Sequence, residues 1–328
     1  AMFYDLYEGS RDGNSEPAGL LHMQISNDVG RTWSEPLALH DRGGCPIQGT
    51  RTSPIRLRSG KLGLIHTGEH VRPGRDGNLI FHYSEDEGQT WSDGVTVDPE
   101  FAVLRSACGR VLSTGRIVAP VFKWISPDTG QESEEPSCGI CFSWAYYSDD
   151  EGQTWQQSHS ELIVAKNEGR EGVYHFEEPV VEELRDGSLI MYGRTETGRH
   201  YVSYSKDGAI TWTPPVPGPV LTSYTPTLLQ RIPSTGHLLM VWNQSSPAEF
   251  GEGLSRHRLT CALSKDDGQT WTHFKNLESL DDRTQLDPPP AEPLAVYRGC
   301  PHKQPSDTTQ YARAPGPIRV CYPSVTFV

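Results

Sequence analysis

The chain has 328 residues, a formal net charge of −13, 32 glycines and 26 prolines. The negative charge argues against nucleic acid and anionic membrane surfaces as general partners, because their phosphates would repel it. No apolar run approaches the roughly 18–20 residues that a membrane-spanning helix needs.

In chain order, short apolar runs alternate with one repeated phrase. LLHMQIS (20–26) leads into SNDVGRTW at 26–33. GKLGLIHTG (60–68) and LIFHYS (79–84) lead into SEDEGQTW at 84–91. GRIVAPVFKW (115–124) precedes SDDEGQTW at 148–155. SLIMYGR (188–194) and RHYVSYS (199–205) precede SKDGAITW at 205–212. HLLMVWN (237–243) and RLTCALS (258–264) precede SKDDGQTW at 264–271. The runs are rich in Val, Ile, Leu and Tyr and are bounded by Gly, Pro or Asp, which predicts strands. The only weak helical candidates fall near 272–283.

The phrases begin at 26, 84, 148, 205 and 264, so the intervals are 58, 64, 57 and 59. A near-constant period with about four strands in roughly 60 residues is that of a propeller blade. Five copies and a partial sixth predict an all-β, six-bladed β-propeller of four-stranded antiparallel blades, one domain over 1–328. MFYDLYEG at the start and YPSVTFV at the end read as strands. Both ends are therefore expected to be cut within the closing blades and to meet in space.

Within each phrase, Ser and Asp precede a turn, Gly supplies positive φ, and Trp offers a large ring for burial. A ring has one axis, so five equal copies cannot all be its site. Asp28, Asp86, Asp150, Asp207 and Asp266 read as turn fasteners. In the fourth copy Ala209 replaces the glycine, and Gly208 beside it is expected to absorb the change.

The seven cysteines include one CxxC, Cys138-Gly-Ile-Cys141, without a second pair at zinc spacing, and they read as ordinary thiols. His66, His70 and His82 read as packing or rim residues. No metal-ligand set and no cofactor are indicated.

The phrase S-x-D-x-G-x-T-W resembles the Asp box, or bacterial neuraminidase repeat, of the sialidase superfamily, and the resemblance extends over essentially the whole chain. Residues 177–194, EEPVVEELRDGSLIMYGR, resemble the sialidase segment that carries a glutamate and a strand ending in arginine. The resemblance implies that Glu178 activates the nucleophile and that Arg194 belongs to a carboxylate-binding arginine triad. RHRLTCALSKDDGQTW (256–271) implies Arg256 as a second member, with Arg258 as its competitor. CYPSVTFV (321–328) implies Tyr322 as the nucleophile. The stretch 7–33 resembles the first sialidase blade and implies an acid/base at Glu16 or Asp12. Sialidases carry the first triad arginine in an Arg-Ile-Pro motif ahead of that blade. Arg231-Ile232-Pro233 stands instead between a strand and a turn, so Arg51 and Arg11 are the candidates for the third arginine. His175, near Glu178, reads as a substrate-contact or supporting residue.

The implied activity is that of a retaining exo-sialidase acting on a sialylated or other anionic glycan. Two other readings stay open. One is a propeller glycosidase for a different anionic sugar, such as another 2-keto acid sugar or a uronic acid glycan. The other is a non-catalytic carbohydrate-binding propeller.

Overall fold

The computed structural model describes residues 1–6, 19–68, 78–99, 102–125, 140–245, 256–279 and 322–325. Among them all regular structure is β. Five antiparallel sheets follow one another as propeller blades. The first holds β1 (Met2–Leu6), β2 (Leu20–Gln24) and β3 (Leu37–Ala38). The second holds β4 (Thr50–Arg56), β5 (Leu62–Thr67), β6 (Leu79–Ser84) and β7 (Val95–Asp98). The third holds β8 (Val103–Leu104), β9 (Arg110–Val111), β10 (Ile117–Ile125), β11 (Ile140–Ser148) and β12 (Gln156–Gln157). A small hairpin, β13 (Val164–Ala165) and β14 (Val173–Tyr174), precedes the fourth sheet. That sheet is β15 (Glu177–Glu183), β16 (Leu189–Arg194), β17 (Arg199–Ser205) and β18 (Val216–Leu221). The fifth is β19 (Leu228–Arg231), β20 (Leu238–Asn243), β21 (Arg258–Ser264) and β22 (Thr272–Ser279).

The expectation of six four-stranded blades is corrected here for the described residues. Five blade sheets are present beside the two-stranded hairpin, and the second, fourth and fifth blades have four strands. The third has five because its inner edge is broken: Ala107 takes φ 59° between β8 and β9, and both short pieces pair with β10. The first has three, with β3 pairing at two positions. Residues 280–321 lie outside the described residues. Of the weak helical candidate at 272–283, residues 272–279 are edge strand β22, held to β21 by ladder pairs, and 280–283 lie outside the described residues. Tyr322 opens no strand; residues 322–325 are irregular and Tyr322 has φ 57°.

Inner strands and their neighbours pack side by side, β4 on β8 and β9, β10 on β15, and β15 on β19. One buried cluster runs through four blades, from Ile55 and Phe81 through Val121 and Val180 to Met240 and Trp242. Period-2 strands buried on both faces between blades explain the near-continuous apolar runs of the sequence.

Each repeated phrase closes the turn before its blade's last strand. In the second copy Thr90 donates to Asp86 from its backbone N–H at 2.9 Å and from its hydroxyl at 2.6 Å. Ser84 donates to Asp86 at 2.7 Å and accepts from Gly88 N–H at 2.8 Å. The same bonds recur around Asp28, Asp150 and Asp266. The threonine hydroxyl, then the threonine N–H, hold Asp28, Asp86 and Asp266 down at about 2. The carboxylates are thus spent inside their own turns. In the fourth copy Ala209 itself adopts φ 77° and donates to Ser205 at 2.9 Å, so the turn keeps its bonds and Gly208 does not take over the role. Trp91 and Trp212 are buried, whereas Trp33 is exposed.

Gly152 shows why glycine is otherwise required. It has φ +91°, and a Cβ there would collide with the Phe81 ring of the preceding blade. Gly152→Ala is expected to destabilise the fold by about 3 kcal/mol, through overpacking and left-handed backbone strain together. Urea unfolding checks this.

Two buried histidines set an acid limit. Burial, then the neighbouring His82, pushes His66 down to about 3; burial pushes His200 down to about 4. Both therefore bind a proton more readily in the unfolded chain than in the folded one. Their stability contribution is complete above about pH 6.5 and is lost as pH falls through the window down to 4 and then 3. The melting temperature is expected to drop steadily below pH 6.5; a flat profile from pH 7 to 5 would contradict this.

Candidate active site

The start of inner strand β15 carries two adjacent carboxylates. Glu177 pairs with Arg194 across the β15–β16 ladder, and the register shifts between Glu177 and Val180. Glu178 lies in that irregularity with φ 45°. Inner strand β4 repeats the device: its register shifts between Thr50 and Ser53, and Arg51 has φ 56°. Left-handed backbone at a non-glycine residue is uncommon and costs energy. A bulge turns the side chain out of the strand's alternation and re-aims it. Glu178, Arg51 and Tyr322 all share this conformation.

Glu178 is the centre of the cluster. The Tyr322 hydroxyl donates to Glu178 Oε1 at 2.6 Å, and Arg194 Nη1 donates to Glu178 Oε2. Arg194 Nε stands 2.9 Å from Glu177 Oε1, and its guanidinium lies 3.7 Å from the centre of the Tyr224 ring. The Arg256 guanidinium lies 5.7 Å from the centre of the Tyr322 ring. Arg51 sits at the same distance, 5.7 Å, from the ring of Phe122, and its charge also bears on Glu178. Glu177, Glu178 and Arg194 are buried, while Tyr322 is 46% exposed. Among the described residues, the cluster is open at Tyr322 and at Arg51.

The electrostatics follow from these contacts. Burial works to raise the Glu178 carboxyl, but Arg194 and the hydrogen bonds from Tyr322 and Arg194 outweigh it and hold it below the usual range. Burial, then the Glu178 charge, push the Tyr322 hydroxyl up to about 12. At neutral pH the pair is a carboxylate accepting from a neutral phenol.

Of the residues singled out in the sequence, Glu178, Arg194, Tyr322, Arg256 and Arg51 come together. Glu16, Asp12 and Arg11 lie outside the described residues. Arg231 is far from the cluster in role: it bonds Glu183 O and Asp267 and ties the fourth blade to the fifth. Arg258 is fully buried and donates to Gln244 O at 3.3 Å. His175 is enclosed, one ring removed from Arg194: its imidazole lies 6.4 Å from Tyr224 and 4.5 Å from Trp124. Cys141 is buried, and Cys138 lies outside the described residues. His66 and His82 stack on each other at 5.3 Å, away from the cluster, and His70 lies outside the described residues.

Sequence reasoning missed four members. Glu177 was visible only as the neighbour of Glu178. Tyr224 and Glu196 come from loops with no motif. Arg105, buried just after β8, interacts electrostatically with both Glu178 and Tyr322, and among the described residues its Nε finds no hydrogen-bond partner. Among the described residues no group of three His, Cys, Asp or Glu side chains is placed to hold a metal.

Comparisons with known proteins agree with the architecture. A family model described as BNR repeat-like domain matches residues 76–326. An anhydrosialidase from Macrobdella decora is 27% identical over 210 residues, 60% of this chain and 23% of that protein. The match thus spans about a quarter of that relative. A protein of unknown function from Dyadobacter fermentans superposes with a TM-score of 0.59 at 19% identity, covering 84% of this chain and 75% of the other. The NanB sialidase of Streptococcus pneumoniae gives 0.56 at 16% identity, over 84% and 59%. At these identities the two structural likenesses establish the propeller fold.

Proposed function

The chain belongs to the BNR repeat-like domain family, and from that premise we propose that it is a retaining, exo-sialidase-like glycoside hydrolase. One observation carries the reading: Tyr322, Glu178 and Arg194 form a continuous hydrogen-bonded chain beside Arg51, Arg105 and Arg256.

A sialic acid bears a carboxylate on its anomeric carbon. In a chain of net charge −13, four arginines gathered around the Tyr322–Glu178 pair make a local basin for such an anion. Guanidinium groups grip carboxylates with two parallel hydrogen bonds. Arg256 and Arg51 are the candidates for that grip. Arg194 is already engaged by two glutamates, and it contributes its remaining donors.

A carboxylate nucleophile would be repelled by the bound carboxylate, and a neutral tyrosine is not. In the proposed first step the Tyr322 oxygen bonds to the anomeric carbon while its proton passes to Glu178 Oε1. The bond to the leaving oxygen breaks, and that oxygen takes a proton from Glu16 or Asp12. In the second step the same acid, now a base, activates water, the tyrosyl bond breaks, and the proton returns to Tyr322. Two displacements retain configuration. The substrate itself sharpens the base: its carboxylate offsets the arginine charge that holds Glu178 down, so Glu178 becomes more basic once the site is filled.

The test is a panel of glycosides with one fluorogenic leaving group and different anionic sugars. Release from the sialoside, with the α-anomer as first product, is the expected result. Turnover of only another 2-keto acid sugar or a uronic acid would move the reading to that substrate. Binding without turnover would make the propeller a lectin.

A further inference from the structure

Behind Arg194 lies a part-buried acid that the proposed chemistry does not use. Glu196, in the turn after β16, places Oε2 3.0 Å from His175 Nε2. His175 Nδ1 accepts from the Cys141 N–H at 3.2 Å. That bond fixes the tautomer: Nδ1 carries the lone pair and Nε2 the proton, and Nε2 stands beside Glu196 while the His175 backbone N–H bonds the same carboxyl. The imidazole is held between Trp124 and Tyr224, and Tyr224 in turn lies under the Arg194 guanidinium. Among the described residues, the charged and titratable groups facing Glu196 are His175, Glu177 and Arg194.

Arg194 is a single cation shared by Glu177 and Glu178. A third carboxylate ionised in the same buried cluster would compete for it. We propose, resting on the sialidase-like reading above, that Glu196 and His175 form a proton-holding pair that positions Arg194. With a proton on Glu196, Arg194 stays seated between Glu177 and Glu178. Without it, Arg194 is drawn toward the new charge, and Glu178 loses the partner that orients it toward Tyr322. Glu196 is a positioning residue. The direction of its own titration agrees: burial, then the Glu177 charge, push it up to about 7.

The experiment compares wild type with Glu196→Gln, in kcat/KM for a fluorogenic sialoside from pH 5.5 to 9 and in melting temperature over the same range. Wild-type kcat/KM is expected to fall roughly tenfold per pH unit above about 7, as for loss of one required proton. Glu196→Gln, permanently neutral, is expected to lack that limb. His175→Asn keeps the backbone N–H that bonds Glu196 but removes the imidazole N–H 3.0 Å from its Oε2, and is expected to move the limb to higher pH. A Glu with a raised folded-state pKa contributes stability that is complete below about 4.5 and is lost as pH rises through about 7. The Tm of Glu196→Gln minus that of wild type should therefore grow as pH rises to 8. An unchanged limb in both variants overturns the proposal. A wild type without sialosidase activity removes the functional reading instead. The Tm comparison then decides whether Glu196 holds its proton, and a Tm difference that does not vary with pH overturns the pair.

Discussion

Tyr322→Phe is expected to lower kcat on a sialoside at least about a thousandfold while leaving binding of free sialic acid nearly intact. The substitution removes one oxygen and keeps the ring that lies 5.7 Å from Arg256. The lost oxygen is the one that donates to Glu178 at 2.6 Å and, in the proposed chemistry, the one that attacks. A nucleophile's removal costs rate in the chemical step, not in ground-state binding, so KM should change far less than kcat. Glu178→Gln should give a loss of similar order, and the double variant little more than either alone, because the two side chains act as a unit. Additive losses would mean that they act separately.

Replacing Arg194 by Met is expected to damage both stability and activity. Its guanidinium serves Glu177 through Nε and Glu178 through Nη1, and all three residues are buried. Removing the shared cation strands two carboxylates in a poorly solvated place, which costs about 3–5 kcal/mol. Glu178 is held below the usual carboxylate range in the folded state, so its stabilisation is present above about pH 4.5 and disappears as pH falls. The gap between wild type and Arg194→Met should therefore be widest near neutrality and narrow below pH 4.5. Arg194→Lys should recover part of the stability and little of the activity, since an ammonium cannot bridge two carboxylates in the planar way a guanidinium does. Denaturant unfolding at pH 7 and pH 4 separates these cases.

What the sequence disclosed follows from which signals are local. The eight-residue phrase is local: its Asp, Thr and Ser bond within one turn, so the turn can be read without the fold. The same holds for the strands between the phrases, whose apolar runs match β5, β10, β16 and β21. Glu178 and Arg194 were legible through the family resemblance of residues 177–194, a continuous segment that forms one hairpin whose ladder pairs Glu177 with Arg194. Arg105 and Tyr224 were not, because loops of two other blades bring them to the axis, and no spacing encodes that. Tyr322 was expected in a strand, yet it stands in left-handed backbone outside one. Ala209 was expected to hand its role to Gly208, yet the turn's own bonds hold alanine in the strained conformation. The blade count depends on residues 280–321, where the repeated phrase gives no further copy to measure from.

In the proposed chemistry the Tyr322 hydroxyl oxygen takes the sugar. The direct measurement is mass spectrometry of the protein after incubation with 2,3-difluorosialic acid, followed by digestion to locate any adduct. The fluorine at C3 slows the second displacement, so a covalent glycosyl-enzyme should accumulate. One equivalent on the peptide containing Tyr322, absent in Tyr322→Phe, is the expected result. An adduct on Glu178 or elsewhere, or continued sialoside turnover with Tyr322 unmodified, would contradict it.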